Sequence, residues 1–116
     1  MYWEDVDFGW RVNAAGGSVW HLPEARYVHI GSATSSGRRP RLQYYYYRNH
    51  LRFWSLHDRS RLGAIVRWHL RRGVRDHQPT WENWARWFAV RDWLLRRTGP
   101  IPARVDKKLA EVAGRE

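Results

Sequence analysis

The chain of 116 residues contains no cysteine. That excludes a disulfide framework, a thiolate nucleophile and a cysteine-ligated zinc site, and it fits a reducing compartment. No run of about 18 apolar residues occurs, so no stretch reads as a membrane-spanning helix. The opening MYWEDVDF lacks the basic n-region and apolar h-region of a secretory signal. The chain also holds no glycine-rich phosphate loop, no zinc-finger spacing, no ribonucleoprotein-type motif and no internal repeat. The length suits one small domain.

What is abundant is arginine and aromatic surface. The formal net charge is +10, and it is unevenly placed. Residues 1–37 sum to −2, whereas residues 38–105 carry 16 Arg against Asp58, Asp76, Glu82 and Asp92, for +12. Such asymmetry suggests an anionic partner for the second part: phosphate, nucleic acid or a lipid surface. Arginine is preferred over lysine, and a guanidinium forks onto phosphate and stacks on rings.

Glu4 to Ala15 reads as a short helix ended by Gly16 and Gly17. SVWHL (18–22) has the pattern of a strand stopped by Pro23, and RYVHI (26–30) that of a second. GSATSSGRRP (31–40) reads as a polar, basic loop. LQYYYYRNHLRFWSL (42–56) and SRLGAIVRWHLRRG (60–73) have helical spacing, broken at HDRS. Thr80 is placed to cap a third helix, running to Gly99-Pro100. The tail from Pro102 fits either a short helix or disorder.

The acidic opening admits a bland reading, since Glu4, Asp5 and Asp7 in a first turn complement the helix dipole. On a helix Asp5 and Asp7 lie about 200° apart, so they cannot serve one site together as a metal-binding DxD pair would. Glu4 and Asp7 share a face.

The order of features goes further. YWEDVDFGWRVNAAGG, then VWHLPEARYVHIGSAT, then YYYYRN resembles the C-terminal part of family-2 inverting glycosyltransferases with the GT-A fold, especially the rhamnosyltransferase-like branch, over residues 1–54. The resemblance implies Asp5 as general base with Glu4 beside it. It implies His29 as a ligand of a divalent metal (Mg or Mn) on the sugar nucleotide, and Arg38, Arg39 and Arg48 as diphosphate contacts. The family's nucleotide-binding half precedes such a stretch. The expectation is therefore a fragment in which Met1 is an internal methionine, the metal arrives with the absent half, and Val6, Phe8, Val12, Val19 and Val28 lack a sheet partner. Expected partners are a nucleotide sugar and a glycan or lipid-linked acceptor.

Each residue also has an ordinary reading. Trp3 and Trp10 either stack on an acceptor sugar or pack in a core, with Arg11 supporting the acceptor side. A lone His29 at a strand end is commonly structural. Arg38 and Arg39 fit a solvated loop, and Arg48 fits helix packing. His50, His57 and His69 read as surface or interface residues. Helix 80–97 sets Trp84, Phe88 and Leu95 on one side, a ring-and-arginine mixture suited to an anionic membrane surface or to helix packing. Nucleic acid is a weaker match.

The expected architecture is α+β and mostly helical. Residues 1–40 would form a GT-A catalytic remnant of one helix and two short strands. Residues 41–116 would form a basic, aromatic-rich region of about three amphipathic helices. The expected function is sugar transfer with inversion, in the cytoplasm or at the inner face of the cell membrane. The alternative is a non-catalytic basic module that docks on anionic membranes.

Overall fold

The computed structural model describes residues 2–28, 39–74 and 80–115. Its elements are α1 (Glu4–Ala14), α2 (Arg39–His57), a 3-10 turn (Arg59–Arg61), α3 (Leu62–Val74), α4 (Trp81–Leu94) and α5 (Ala103–Ala113). No strand occurs among the described residues, so the fold is all-α there and the expected α+β remnant is corrected. Residues 17–22 and 25–28 have no regular structure, and the rest of the second expected strand lies outside the described residues. A strand needs a neighbour to take its backbone N–H and C=O groups. Alternating side chains without that neighbour leave an open chain.

The helix starts and stops follow local chemistry. Pro40 sits in the first turn of α2, where a missing N–H costs nothing. The break at 58 is fixed by Asp58, whose Oδ1 accepts from the Ser60 N–H at 3.0 Å. Thr80 Oγ1 accepts from Asn83 N–H at the start of α4. The tail becomes α5, and Asp106 in its first turn pairs with Arg41 at the start of α2. No helix among the described residues is long and apolar enough to cross a membrane.

Two helices end in the same hydrogen-bond pattern. At the end of α1, Gly16 N–H reaches Asn13 O at 3.0 Å and Gly17 N–H reaches Val12 O at 2.9 Å. At the end of α4, Arg96 N–H reaches Trp93 O at 2.9 Å and Arg97 N–H reaches Asp92 O at 2.8 Å. This is the Schellman closure, which needs a left-handed residue. Gly16 supplies it at φ 80°, and Arg96 supplies it at φ 53°. The closure stops α4 at Leu94, before the expected Gly99-Pro100. Gly16→Ala should lower stability by about 1 kcal/mol, because a Cβ disfavours this conformation; urea denaturation checks it.

The core lies between α2, α4 and α5. Tyr44, Tyr47, Ala85, Ala89, Val105 and Leu109 are buried, with Tyr45, Trp84, Phe88 and Ile101 packed around them. Ala85 and Ala89 are one turn apart on α4, and their small side chains leave room for the tyrosines of α2. The four consecutive tyrosines point in four directions, about 100° apart. Tyr44 Oη donates to Asp92 near the end of α4 at 2.8 Å, and Tyr47 Oη donates to Glu82 near its start at 2.9 Å. Tyr45 Oη accepts from the Ile101 N–H at 2.7 Å. Tyr46 meets the rings of Tyr2 and Trp3.

Candidate functional site

The acidic helix α1 docks on α2 through rings. Trp3 stacks on His50 with centroids 4.5 Å apart. Trp10 meets Phe53 edge-on at 5.6 Å and Trp54 at 6.3 Å. Tyr2 and Trp3 both hold positive φ, at 59° and 71°. Bulky residues reach that region only at a cost of about 1–3 kcal/mol, here offset by the ring contacts.

The helical period then sorts the three carboxylates. Asp7 faces α2, where His57 Nε2 donates to it at 2.6 Å and Arg11 Nε lies at 3.0 Å. The hydrogen bond from His57, aided by the charges of Arg11 and His57, holds the Asp7 carboxyl below the usual carboxylate range. Asp5 is exposed on another face, its Oδ1 accepting from the Val6 N–H at 2.8 Å. Glu4 is exposed beside it. Arg11 is bound to Asp7, which ties it to the docking of α1.

The other expected site residues are dispersed. His29 and Arg38 lie outside the described residues, as does the side chain of Arg39. Arg48 is buried away from α1. Its Nη2 donates to Gly99 O at 2.8 Å, its Nη1 approaches Tyr44 Oη at 3.3 Å, and its guanidinium lies over the Tyr44 and Tyr45 rings. Tyr46, His50, Phe53 and His57 face α1, while Arg48 and Arg52 project about half a turn away. Asp5 and Arg48 therefore belong to opposite sides of α2. Among the described residues no group of three or more His, Asp or Glu gathers to hold a metal. The Asp7–His57 pair offers two such groups, already bound to each other, while the expected ligand His29 lies outside the described residues.

A second polar assembly, buried between α2, α3 and α4, was not expected from sequence. His69 is fully buried, which corrects its reading as a surface or interface residue. Its Nδ1 faces Arg86 Nη1 at 3.4 Å and its Nε2 faces His50 Nδ1 at 3.3 Å. A guanidinium can only donate. His69 Nδ1 must then accept, its proton sits on Nε2, and His50 carries its own proton on Nε2. Arg86 is itself buried between the Tyr47 and Trp68 rings, at 4.1 and 4.8 Å from their centroids. The spacing of Leu62, Ile65 and Val66 contained the signal, since a helix places 69 on the same apolar face.

Burial, reinforced by the charges of His50 and Arg86, pushes His69 down to about 3, and burial also lowers His50. Both groups bind protons more readily when the chain unfolds, so their contribution is complete above pH ~6.5 and is lost as pH falls toward the folded value. Stability should drop by up to about 1.4 kcal/mol per pH unit for each histidine. Denaturant titrations between pH 6.5 and 4.5 isolate this effect, because the depressed carboxyls of Asp7 and Asp106 give way only at lower pH. His69→Gln should remove most of the slope, since His69 is the more strongly depressed of the two.

On the α4 face that also suited a membrane, Trp84 and Phe88 are partly buried against the core, whereas Leu95 is 57% exposed.

No family model, no curated protein and no solved structure matches this chain.

Proposed function

We propose that this chain supplies the acceptor side of a nucleotide-sugar-dependent glycosyltransferase, with Asp5 as the general base. The observation that carries the reading is the division of labour on α1. Asp7 is committed to His57 and Arg11, while Asp5 stands exposed on the same helix. In the reaction a carboxylate oxygen of Asp5 takes the proton of an acceptor hydroxyl. The hydroxyl oxygen forms the new bond to the anomeric carbon. The bond to the nucleoside diphosphate breaks on the opposite face, so configuration inverts. Trp10, 41% exposed, lies about 140° round α1 from Asp5 and packs its ring on Phe53, Trp54 and His57, so it serves the docking of α1.

The segment after α1 fits a chain that works against a second, nucleotide-binding part. Val19, Trp20, Leu22 and Val28 are 60, 81, 63 and 90% exposed. Large apolar side chains gathered on a short stretch mark a surface that is covered in use. With this reading go a cytoplasmic setting, where nucleotide sugars are the donors, and a diphosphate-bound metal held by the other part.

The test is release of nucleoside diphosphate from a panel of nucleotide sugars by the protein as its own cells make it, with and without glycan acceptors. Acceptor-dependent release that disappears in Asp5→Asn supports the reading. Release that is undiminished in that variant removes Asp5 from the chemistry.

A further inference from the structure

On the side of α2 opposite α1, a cleft of about 310 Å³ opens between α2 and the end of α4. Arg48, Arg52, Arg96 and Arg97 line it, together with Leu56 and Trp93. No carboxylate is among the described residues that line it. The nearest acid in the contact network, Asp92, is fully buried and already accepts from Tyr44 and Arg91, with Arg97 at 3.5 Å. Arg48 is 7% exposed, and its described partners are a carbonyl, a phenol and two rings, all neutral. Four guanidinium groups thus share one cleft with a single sealed counter-charge behind it.

Arg96 adds an independent observation. It occupies the left-handed closing position of α4, which glycine holds in α1. A glycine there would remove the strain. The arginine keeps it and delivers a cation to the mouth of the cleft.

We propose that this cleft binds an organic phosphate, its oxyanion held by Arg52, Arg96 and Arg97 over the buried Arg48, and its apolar body lying on Leu56 and Trp93. A carboxylate is saturated by one guanidinium fork, whereas the terminal oxygens of a phosphate accept from several. The volume falls at the lower end of ordinary small-molecule sites, which exceed a bare phosphate. Trp93 Nε1 is already spent on Ser55 Oγ at 2.7 Å, so the indole presents apolar surface. The site does not depend on the role of Asp5, since it lies across α2 from α1.

Calorimetric titration with 1-naphthyl phosphate tests the soluble form of the ligand, with orthophosphate as reference. Sedimentation with phosphatidylcholine vesicles containing phosphatidic acid tests the lipid form. Arg52→Ala and Arg96→Gly should each weaken binding at least about fivefold, while Arg104→Ala, exposed on α5, should leave it unchanged. Arg96→Gly should also raise the thermal midpoint by relieving the left-handed strain, so its weaker binding cannot be ascribed to unfolding. Variant-sensitive binding of naphthyl phosphate assigns a soluble organic phosphate, and variant-sensitive binding of vesicles without it assigns a lipid phosphate. Failure of both probes to bind overturns the proposal. So does an equal loss in Arg104→Ala, which would reveal attraction to the net charge of +10 rather than to a site.

Discussion

Asp92→Ala should cost about 2–4 kcal/mol of folding stability, because it strips the buried Tyr44 phenol of its acceptor, while Arg91 and Arg97, 36 and 39% exposed, can turn to water. The side chain is fully buried. It accepts from Tyr44 Oη at 2.8 Å and from Arg91 Nε at 2.8 Å, with Arg97 Nη1 at 3.5 Å. Removing it leaves two guanidinium groups and a buried phenol without their acceptor, while the lost side-chain volume is small. Burial, then the bond to Asp92, pushes the Tyr44 phenol up to about 12, so it stays a donor throughout the physiological range. Tyr44→Phe should cost less, about 1.5–3 kcal/mol for a hydrogen bond to a charged group. In the double variant the two losses should fall well short of additive. For a domain stabilised by about 5–15 kcal/mol, the loss from Asp92→Ala is a large fraction of the whole. Urea denaturation with a common m-value measures it. A change below about 1 kcal/mol would mean that the carboxylate does not organise α2 against α4.

The second large effect concerns chemistry. On the proposed reading, Asp5→Asn should lower sugar transfer by about 10²–10⁴-fold, the usual contribution of a positioned base, and should leave donor binding within about twofold. An amide keeps the shape of the side chain and its contact with the Val6 N–H but cannot accept the acceptor's proton. Asp7→Asn is the matched comparison. It weakens the contacts to His57 and Arg11, which should loosen α1 by about 1 kcal/mol or less, and it should retain transfer within about tenfold. The reverse outcome, an inactive Asp7→Asn and an active Asp5→Asn, would reassign the base.

Sequence periodicity located the helices well and the partners poorly. The starts at Pro40 and Thr80, the break at Asp58 and the stop at Gly16 are local events, decided by a few neighbouring backbone groups. The separation of Asp5 from Asp7 is equally local, because the helical period fixes it. SVWHL failed for the opposite reason. Its alternation is that of a strand, but strand formation is a pairing event, and among the described residues no second edge receives it. The end of α4 was misplaced because Arg96 adopts a left-handed conformation, for which an arginine carries no sequence signal.

The buried polar assembly of His50, His69 and Arg86 and the arginine cleft show the same limit. Arg48 was legible as a basic residue in YYYYRN, but not its side of the helix relative to Asp5. That depended on which faces of α2 were taken by α1 and by α4.

The sequence by itself determined where α2 and α4 begin, where α1 ends, that Asp5 and Asp7 point to different sides of α1, and that the chain carries an excess of arginine. Those properties arise within a turn or two of backbone. The tertiary structure alone decided which of the four tyrosines meets which element, that His69 is buried and held neutral, and that four arginines meet in one cleft. Each of these depends on residues tens of positions apart, brought together because helices with apolar faces must cover one another, and no local pattern encodes which faces meet.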